Sequence, residues 1–190
     1  MAKVNVAVVV GSNRRDSINR KLAQALARLV TDRLETKFVG IDDLPMYNQD
    51  LESPLPASVA RFKAELEAAE ALLVVSPEHN RSMPAVLKNA VDWGARPYGR
   101  NSWWGKPTAI IGASPGAIGT AVAQQHLRQV LGDLGAVVMG GEAYIGFTSD
   151  LIDASDSIND GSTRAFLQSF AARFAALAGQ LRDSGRAIAA

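Results

Sequence analysis

The alternation of short apolar runs with segments of helical periodicity constrains the fold of this chain more than any other feature. Aliphatic and β-branched residues dominate five predicted strands, at Val4–Val10, Glu35–Ile41, Ala71–Val75, Thr108–Ile111 and Ala136–Met139. Helical segments are predicted over Lys21–Leu29, Val59–Ala69, Pro84–Trp93, Ile118–Leu131 and Ser162–Arg182. Five such β/α units predict an α/β fold, with helices on both faces of a five-stranded parallel sheet. Ligands of such sheets bind at the carboxyl ends of the strands, where the strand order reverses.

The composition narrows the class of protein. We expect residues 1–190 to form a single domain, since this length can bury a proper core. The 20 Lys and Arg residues balance 19 Asp and Glu, which argues against nucleic-acid and membrane partners. The absence of cysteine excludes disulfides and thiolate chemistry, and two histidines argue against a metal site. No signal segment or apolar span of about 20 residues is visible, so we expect a soluble, cytoplasmic protein.

The loop after the first strand has the composition of an anion site. It reads Gly11-Ser12-Asn13-Arg14-Arg15-Asp16-Ser17-Ile18-Asn19 and opens directly into a helix. Free backbone N–H groups and the positive end of the helix dipole favour a phosphate there. The loop matches neither common nucleotide motif, Gly-x-x-x-x-Gly-Lys-Ser/Thr or Gly-x-Gly-x-x-Gly. Ser12, Ser17 and Asn19 would surround the phosphate and Arg14 would supply charge; alternatively, Ser17 only caps the helix and the arginines are solvated.

Two further polar loops follow the third and fourth strands and are predicted to meet the first loop in one crevice. The first of these reads Ser76-Pro77-Glu78-His79-Asn80-Arg81-Ser82-Met83-Pro84, and the other covers Ala113–Gly119. Two prolines stiffen the backbone of the Ser76–Pro84 loop, which suits the edge of a planar heterocycle. The alternative is an ordinary connection in which Pro84 begins the next helix.

Together these motifs resemble the NADPH-dependent FMN reductase family of flavodoxin-like proteins. The resemblance rests on Gly-Ser-x-Arg-x-x-Ser-x-Asn after the first strand and Ser-Pro-Glu-His-Asn-x-Ser-x-Pro after the third. It continues through Leu87–Trp93 and Gly105-Lys106-Pro107 and runs from Val4 to the closing helix. The segment His126–Leu131 is similar to the bacterial chromate and quinone reductase branch.

The resemblance implies an FMN site and assigns residues to it. The FMN phosphate would lie on Ser12, Arg14, Ser17 and Asn19, and the isoalloxazine ring along Pro77, Glu78, His79 and Asn80, with Ser114 and Gly116 on its other side. His79 replaces the tyrosine usual in the family. No side chain would act as a catalytic nucleophile or metal ligand, because flavin N5 carries the hydride. NADH or NADPH would be the donor, and quinones, chromate, azo dyes or free flavin the acceptors, in a two-electron ping-pong cycle.

Aromatic residues cluster where glycine and proline interrupt any helix. Trp93, Tyr98, Trp103 and Trp104 are therefore expected to be exposed, at a subunit interface or as a wall of the active site. Family resemblance implies a homodimer or homotetramer. Arg81, Arg96 and Arg100 are candidates for the substrate entrance, and a solvated surface position is the alternative for them.

Two other classes of protein compete with the reductase. A flavodoxin-type FMN electron carrier would share the fold, but such carriers dock basic partners through acidic surfaces, and the net charge here is +1. A nucleotide-binding regulator without FMN would leave the Pro77–Asn80 edge unexplained. We rank both below the reductase.

Overall fold

The computed structural model describes residues 3–189 and contains one six-stranded sheet with five helices. The strands are β1 (Val4–Val10), β2 (Leu34–Val39), β3 (Ala71–Val75), β4 (Pro107–Ser114), β5 (Val137–Val138) and β6 (Tyr144–Gly146). The helices are α1 (Ile18–Leu29), α2 (Ala57–Ala68), α3 (Ala85–Ala95), α4 (Ala121–Asp133) and α5 (Gly161–Ala189). None of these helices is both long enough and apolar enough to cross a bilayer.

The strand order is β2-β1-β3-β4-β5, and every pairing is parallel. This is the flavodoxin-like order, so the predicted fold class is confirmed. The order reverses between β1 and β3, which are adjacent although β2 separates them in sequence. The crevice is therefore expected at the carboxyl ends of β1 and β3.

Two apolar layers enclose the sheet. In β1, Val6 and Val8 pack on the side of α1 and α5, whereas Ala7 and Val9 pack on the side of α2, α3 and α4. This alternation is the period-two pattern of a strand that is buried on both faces. Helices thus cover both faces, as the sequence predicts.

The fifth position of the sheet is divided between two short strands. β5 pairs with Pro107 and Thr108 at the start of β4, and β6 pairs with residues 112–114 at its end. The intervening segment is held by α4, because Arg128 donates hydrogen bonds to the carbonyls of Met139 (2.7 Å) and Gly141. Sequence analysis missed β6, and it predicted a shorter β4 that ended at Ile111.

The expectation that the aromatic cluster is exposed is wrong for Trp93 and Trp103. Both side chains are fully buried on the α2–α3 side of the sheet. The indole of Trp103 lies against Gly94, where an added Cβ would come within 2.3 Å of its Nε1. Of the four residues, Tyr98 (93 % exposed) and Trp104 (73 %) do lie on the surface.

A buried lysine holds the loop that follows α3. Lys63 of α2 donates from Nζ to the carbonyls of Gly94 (3.0 Å) and Arg100 (2.6 Å) and to Ser102 Oγ (2.8 Å). Burial lowers the pKa of Lys63, although the charge of Glu67 opposes this shift. The loop is therefore fixed to α2 by hydrogen bonds and by the buried indole of Trp103.

Candidate functional site

A crevice of about 230 Å³ lies at the carboxyl ends of β1, β3 and β4. It adjoins an open depression of about 610 Å³, and the two share Glu78 and Ser114. Every residue predicted to bind the cofactor lines one or both of them: Ser12, Arg14, Ser17, Asn19, Pro77, Glu78, His79, Asn80, Ser114 and Gly116. The fold thus brings together loops that are about 100 residues apart in sequence.

The amino terminus of α1 forms one end of the crevice. Ser17 is the N-cap, and its Oγ accepts a hydrogen bond from the Arg20 N–H at 3.2 Å. The N–H groups of Ile18 and Asn19 precede the first bond of the helix, and neither has an acceptor in the described part of the chain. Because both residues line the crevice, this end can receive an anion.

Asn19 makes contacts that its sequence position did not reveal. Its Nδ2 donates to the carbonyl of Ala113, and its Oδ1 accepts from the Ala113 N–H, both at 2.9 Å. The side chain is buried, so these bonds tie α1 to the carboxyl end of β4. The amide of Asn19 is therefore engaged, and its backbone N–H remains available to a ligand.

Ser12 and Arg14 give the same end of the crevice hydroxyl and cationic character. Ser12 Oγ accepts from the Arg14 N–H at 3.3 Å, which folds the loop back on itself. Arg14 is exposed, and its guanidinium has no ion-pair partner among residues 3–184. Its charge is available to a phosphate.

A tight turn shapes the loop after β3. His79 and Ser82 exchange two backbone hydrogen bonds of 2.9 Å. Asn80 (φ 49°) and Arg81 (φ 62°) occupy the two central positions in the left-handed region, as in a type I′ turn. Asparagine tolerates this conformation well, whereas a glycine is favoured at the position of Arg81.

Glu78 connects this turn to α4. Its Oε2 accepts from the N–H groups of Val122 (2.9 Å) and Ala123 (3.0 Å), and its Oε1 accepts from Arg81 Nη1 (3.0 Å). Burial by itself raises the pKa of Glu78, but the hydrogen bonds from Ala123, Arg81 and Val122 outweigh it and lower the pKa. The carboxylate is thus an ionised cap of α4, and the backbone of Glu78 remains at the crevice.

The three candidates for the substrate entrance do not lie together. Arg81 lines the open depression. Arg96 and Arg100 lie on the loop that leads from α3 into β4. This loop is at the amino ends of the strands, opposite to the crevice, and neither arginine lines the crevice. The guanidinium of Arg96 stacks on the ring of Tyr47, 5.8 Å from its centroid.

The donors of the crevice fit FMN. A phosphate can accept hydrogen bonds from the free N–H groups of the helix, from two serine hydroxyls and from an arginine. The stiff backbone edge beside these donors can pair with the polar edge of a flat heterocycle. The strand order and this crevice define a flavodoxin-like nucleotide-binding protein.

Similarity to known proteins narrows the class. Residues 4–150 match the family described as NADPH-dependent FMN reductase, and the chain belongs to that family. It is 51 % identical over 174 residues to a 2-hydroxy-1,4-benzoquinone reductase of a Burkholderia species (91 % of this chain, 95 % of that one). It is 50 % identical, over 90 % of this chain and 92 % of the other, to a quinone reductase of Pseudomonas putida.

A solved structure agrees with this assignment. The flavoenzyme NAD(P)H:(acceptor) oxidoreductase FerB from Paracoccus denitrificans superposes with a TM-score of 0.90 at 47 % identity, over 93 % of this chain and 98 % of that one. The protein is thus an oxidoreductase that works with FMN and a reduced nicotinamide nucleotide.

Proposed function

We propose that this protein reduces quinones with two electrons from NADH or NADPH, with FMN bound in the crevice at the carboxyl ends of β1, β3 and β4. The observation that carries the proposal is the convergence of three polar loops at the reversal of strand order. Relatives that are named quinone reductases and are about half identical support the choice of acceptor.

Phosphate binding is assigned to the end of the crevice at α1. Ser12 and Ser17 would donate their hydroxyl hydrogens to the phosphate, since both Oγ atoms already accept backbone N–H groups. Arg14 would pair with the phosphate charge, and the backbone N–H groups of Ile18 and Asn19 would complete the site.

The ring of the cofactor is assigned to the stiff edge from Pro77 to Asn80, with Ser114 and Gly116 opposite. Glu78 and the His79–Ser82 turn hold this edge in place. When bound, FMN supplies hydride and electron transfer. The residues of the chain bind and orient donor and acceptor and leave one side of the site open, and we assign no side chain a role as nucleophile or metal ligand.

The physiological setting is also proposed. We propose that the protein acts in the cytoplasm, where reduced nicotinamide nucleotides are abundant. We also propose that residues 1–190 form a single domain. Chromate, azo dyes and free flavin are further candidate acceptors, because an open site imposes few steric limits.

The test uses the purified protein loaded with FMN under anaerobic conditions. NADH or NADPH should bleach the flavin absorbance within seconds, and one equivalent of 1,4-benzoquinone should restore it. An FMN electron carrier would behave differently. NADH and NADPH would bleach its flavin only slowly, or benzoquinone would fail to restore the absorbance while two equivalents of a one-electron acceptor succeed.

A homodimer or homotetramer is proposed from the exposed aromatic residues. Tyr98 and Trp104 project from the loop after α3, and Met46 (74 % exposed) is a further apolar side chain on the surface. Burial of such side chains in a subunit interface would remove apolar surface from water. Light scattering at micromolar concentration should report two or four chains per particle, and a monomer would contradict the proposal.

A further inference from the structure

We propose that Arg81 selects anionic electron acceptors, such as the anions of hydroxyquinones, at the open side of the crevice. The inference rests on the proposed function, because it assigns the acceptor class of that same site. It starts from the position of Arg81, which lines the depression together with Ser114, Gly116 and Ile118.

The backbone fixes where the guanidinium of Arg81 can reach. Arg81 is the second central residue of the His79–Ser82 turn, with a φ of 62° that favours glycine. A long cationic side chain at such a position is strained, and it projects from a turn that two backbone hydrogen bonds make rigid. The strain is understandable if the side chain serves the site.

Glu78 positions Arg81 but neutralises the charge of its guanidinium only in part. Only Nη1 of Arg81 bonds to Glu78, and 63 % of the Arg81 side chain is exposed, compared with 7 % for Glu78. The carboxylate also accepts two backbone N–H groups of α4, so its charge is shared among three donors. The remaining guanidinium nitrogens of Arg81 face solvent at the depression and can donate to a ligand.

The local charge of the site is positive although the chain is nearly neutral. Among the described residues, the crevice and depression are lined by two guanidinium groups, Arg14 and Arg81, and by one carboxylate, the buried Glu78. With Arg14 assigned to the phosphate, Arg81 is the cation left for the acceptor. A quinone that carries an ionised hydroxyl group would receive a charge-assisted hydrogen bond there, and a neutral quinone would not.

Two test substrates of nearly equal size but different charge distinguish the effect of charge on selectivity from that of shape. 1,4-Benzoquinone is neutral, whereas 2-hydroxy-1,4-benzoquinone is a vinylogous acid that is ionised at neutral pH. The FMN-loaded wild type, Arg81→Gln and Arg81→Lys are compared by kcat/KM for each quinone at saturating NADH. Arg33→Gln makes the same charge change at the amino end of β2, far from the crevice.

In Arg81→Gln we expect kcat/KM for the hydroxyquinone anion to fall about fivefold to tenfold, the range for a charged contact at a partly exposed site. The value for 1,4-benzoquinone should stay within about twofold, and Arg81→Lys and Arg33→Gln should keep the wild-type preference. Raising the salt concentration should weaken the preference of the wild type.

Two kinds of failure are distinguishable. If the wild type reduces 1,4-benzoquinone but Arg81→Gln affects both quinones equally, or neither, the assignment of Arg81 is overturned and the proposed function stands. If Arg81→Lys also loses the preference for the hydroxyquinone anion, the positive charge at this position is not the cause of the preference, and the proposal is overturned. If the wild type reduces neither quinone with NADH or NADPH, the proposed function fails and this inference fails with it.

Discussion

At the scale of single residues, Arg14 provides the sharpest test of the phosphate site. Replacing it by alanine removes a cation that lines the crevice and has no ion-pair partner among residues 3–184. We expect FMN to bind about 10- to 100-fold more weakly, since a hydrogen bond to a charged group contributes about 1.5–3 kcal/mol. Fluorescence titration of the apoprotein would measure this change.

Riboflavin and a neighbouring arginine supply the controls for Arg14. Riboflavin lacks the phosphate, so it should bind the wild type poorly and respond little to Arg14→Ala. Arg15 is exposed and does not line the crevice, so Arg15→Ala should leave the FMN affinity within about twofold. Equal affinity of the wild type for FMN and riboflavin would exclude the proposed phosphate site.

A second prediction concerns Asn19, whose amide bonds to both backbone groups of Ala113. Asn19→Ala would leave this buried N–H and carbonyl unpaired, and it should lower the free energy of unfolding by about 2–4 kcal/mol. Urea denaturation would measure the loss. Asn13→Ala, at an exposed position of the same loop, should change stability by less than about 0.5 kcal/mol. Unchanged stability together with lost FMN affinity would instead make the amide a direct ligand.

The sequence predicted which residues gather at the crevice but not how they are used. Residue types and strand–loop–helix order are local signals, and they sufficed to place Ser17 and Asn19 at a helix start. The partner of Asn19 lies 94 residues further along the chain, and the α4 N–H groups that Glu78 caps lie 44 and 45 residues away. Such contacts depend on tertiary packing, which no local pattern encodes.

At the scale of elements, the start of α5 carries a pH-dependent cap. Asp160 Oδ2 accepts from Ser162 Oγ and from the Thr163 N–H, both at 2.6 Å. These hydrogen bonds lower the pKa of Asp160 to about 2 from its usual 3.8. Because the folded state binds the proton less readily than the unfolded state, the cap stabilises fully above pH 3.8 and is lost as the pH falls towards 2.

Replacing Asp160 by asparagine tests this cap. Asparagine can still accept the hydrogen bonds but carries no charge, so between pH 4 and pH 2 the Tm of the variant should fall less steeply than that of the wild type. Asp160→Ala should lower Tm at neutral pH, because it removes the cap, and its difference from the wild type should shrink as the pH falls from 4 towards 2, where the wild type loses the charged cap as well. Parallel curves for the wild type and Asp160→Asn would show that the carboxylate charge contributes nothing.

Long elements with a clear apolar pattern were predictable, and short or irregular ones were not. The three-residue β6 has no periodicity of its own and forms because β4 extends to Ser114, beyond the apolar run. The burial of Trp103 was equally hidden, since Gly94 both interrupts the pattern of a helix and makes room for the indole. The same glycine that argued for an exposed loop is what lets the tryptophan pack.

At the scale of the whole molecule, the open crevice formed by the three loops predicts the kinetic mechanism. The described residues offer one depression beside the proposed ring edge, so the reduced nicotinamide and the quinone must occupy it in turn. Double-reciprocal plots against NADH at several quinone concentrations should be parallel. Excess quinone should inhibit competitively with respect to NADH, because both compete for one place.

Intersecting lines would contradict this prediction, since they require both substrates to be bound together. A second chain in an oligomer could widen the site, so the kinetics should be measured at protein concentrations on both sides of any change in particle size. Parallel lines at every protein concentration would show that NADH and quinone bind in turn in the crevice that the three loops of one chain form. Intersecting lines that appear only with assembly would show that a neighbouring subunit supplies a second binding surface, while the FMN site of each chain stays as proposed.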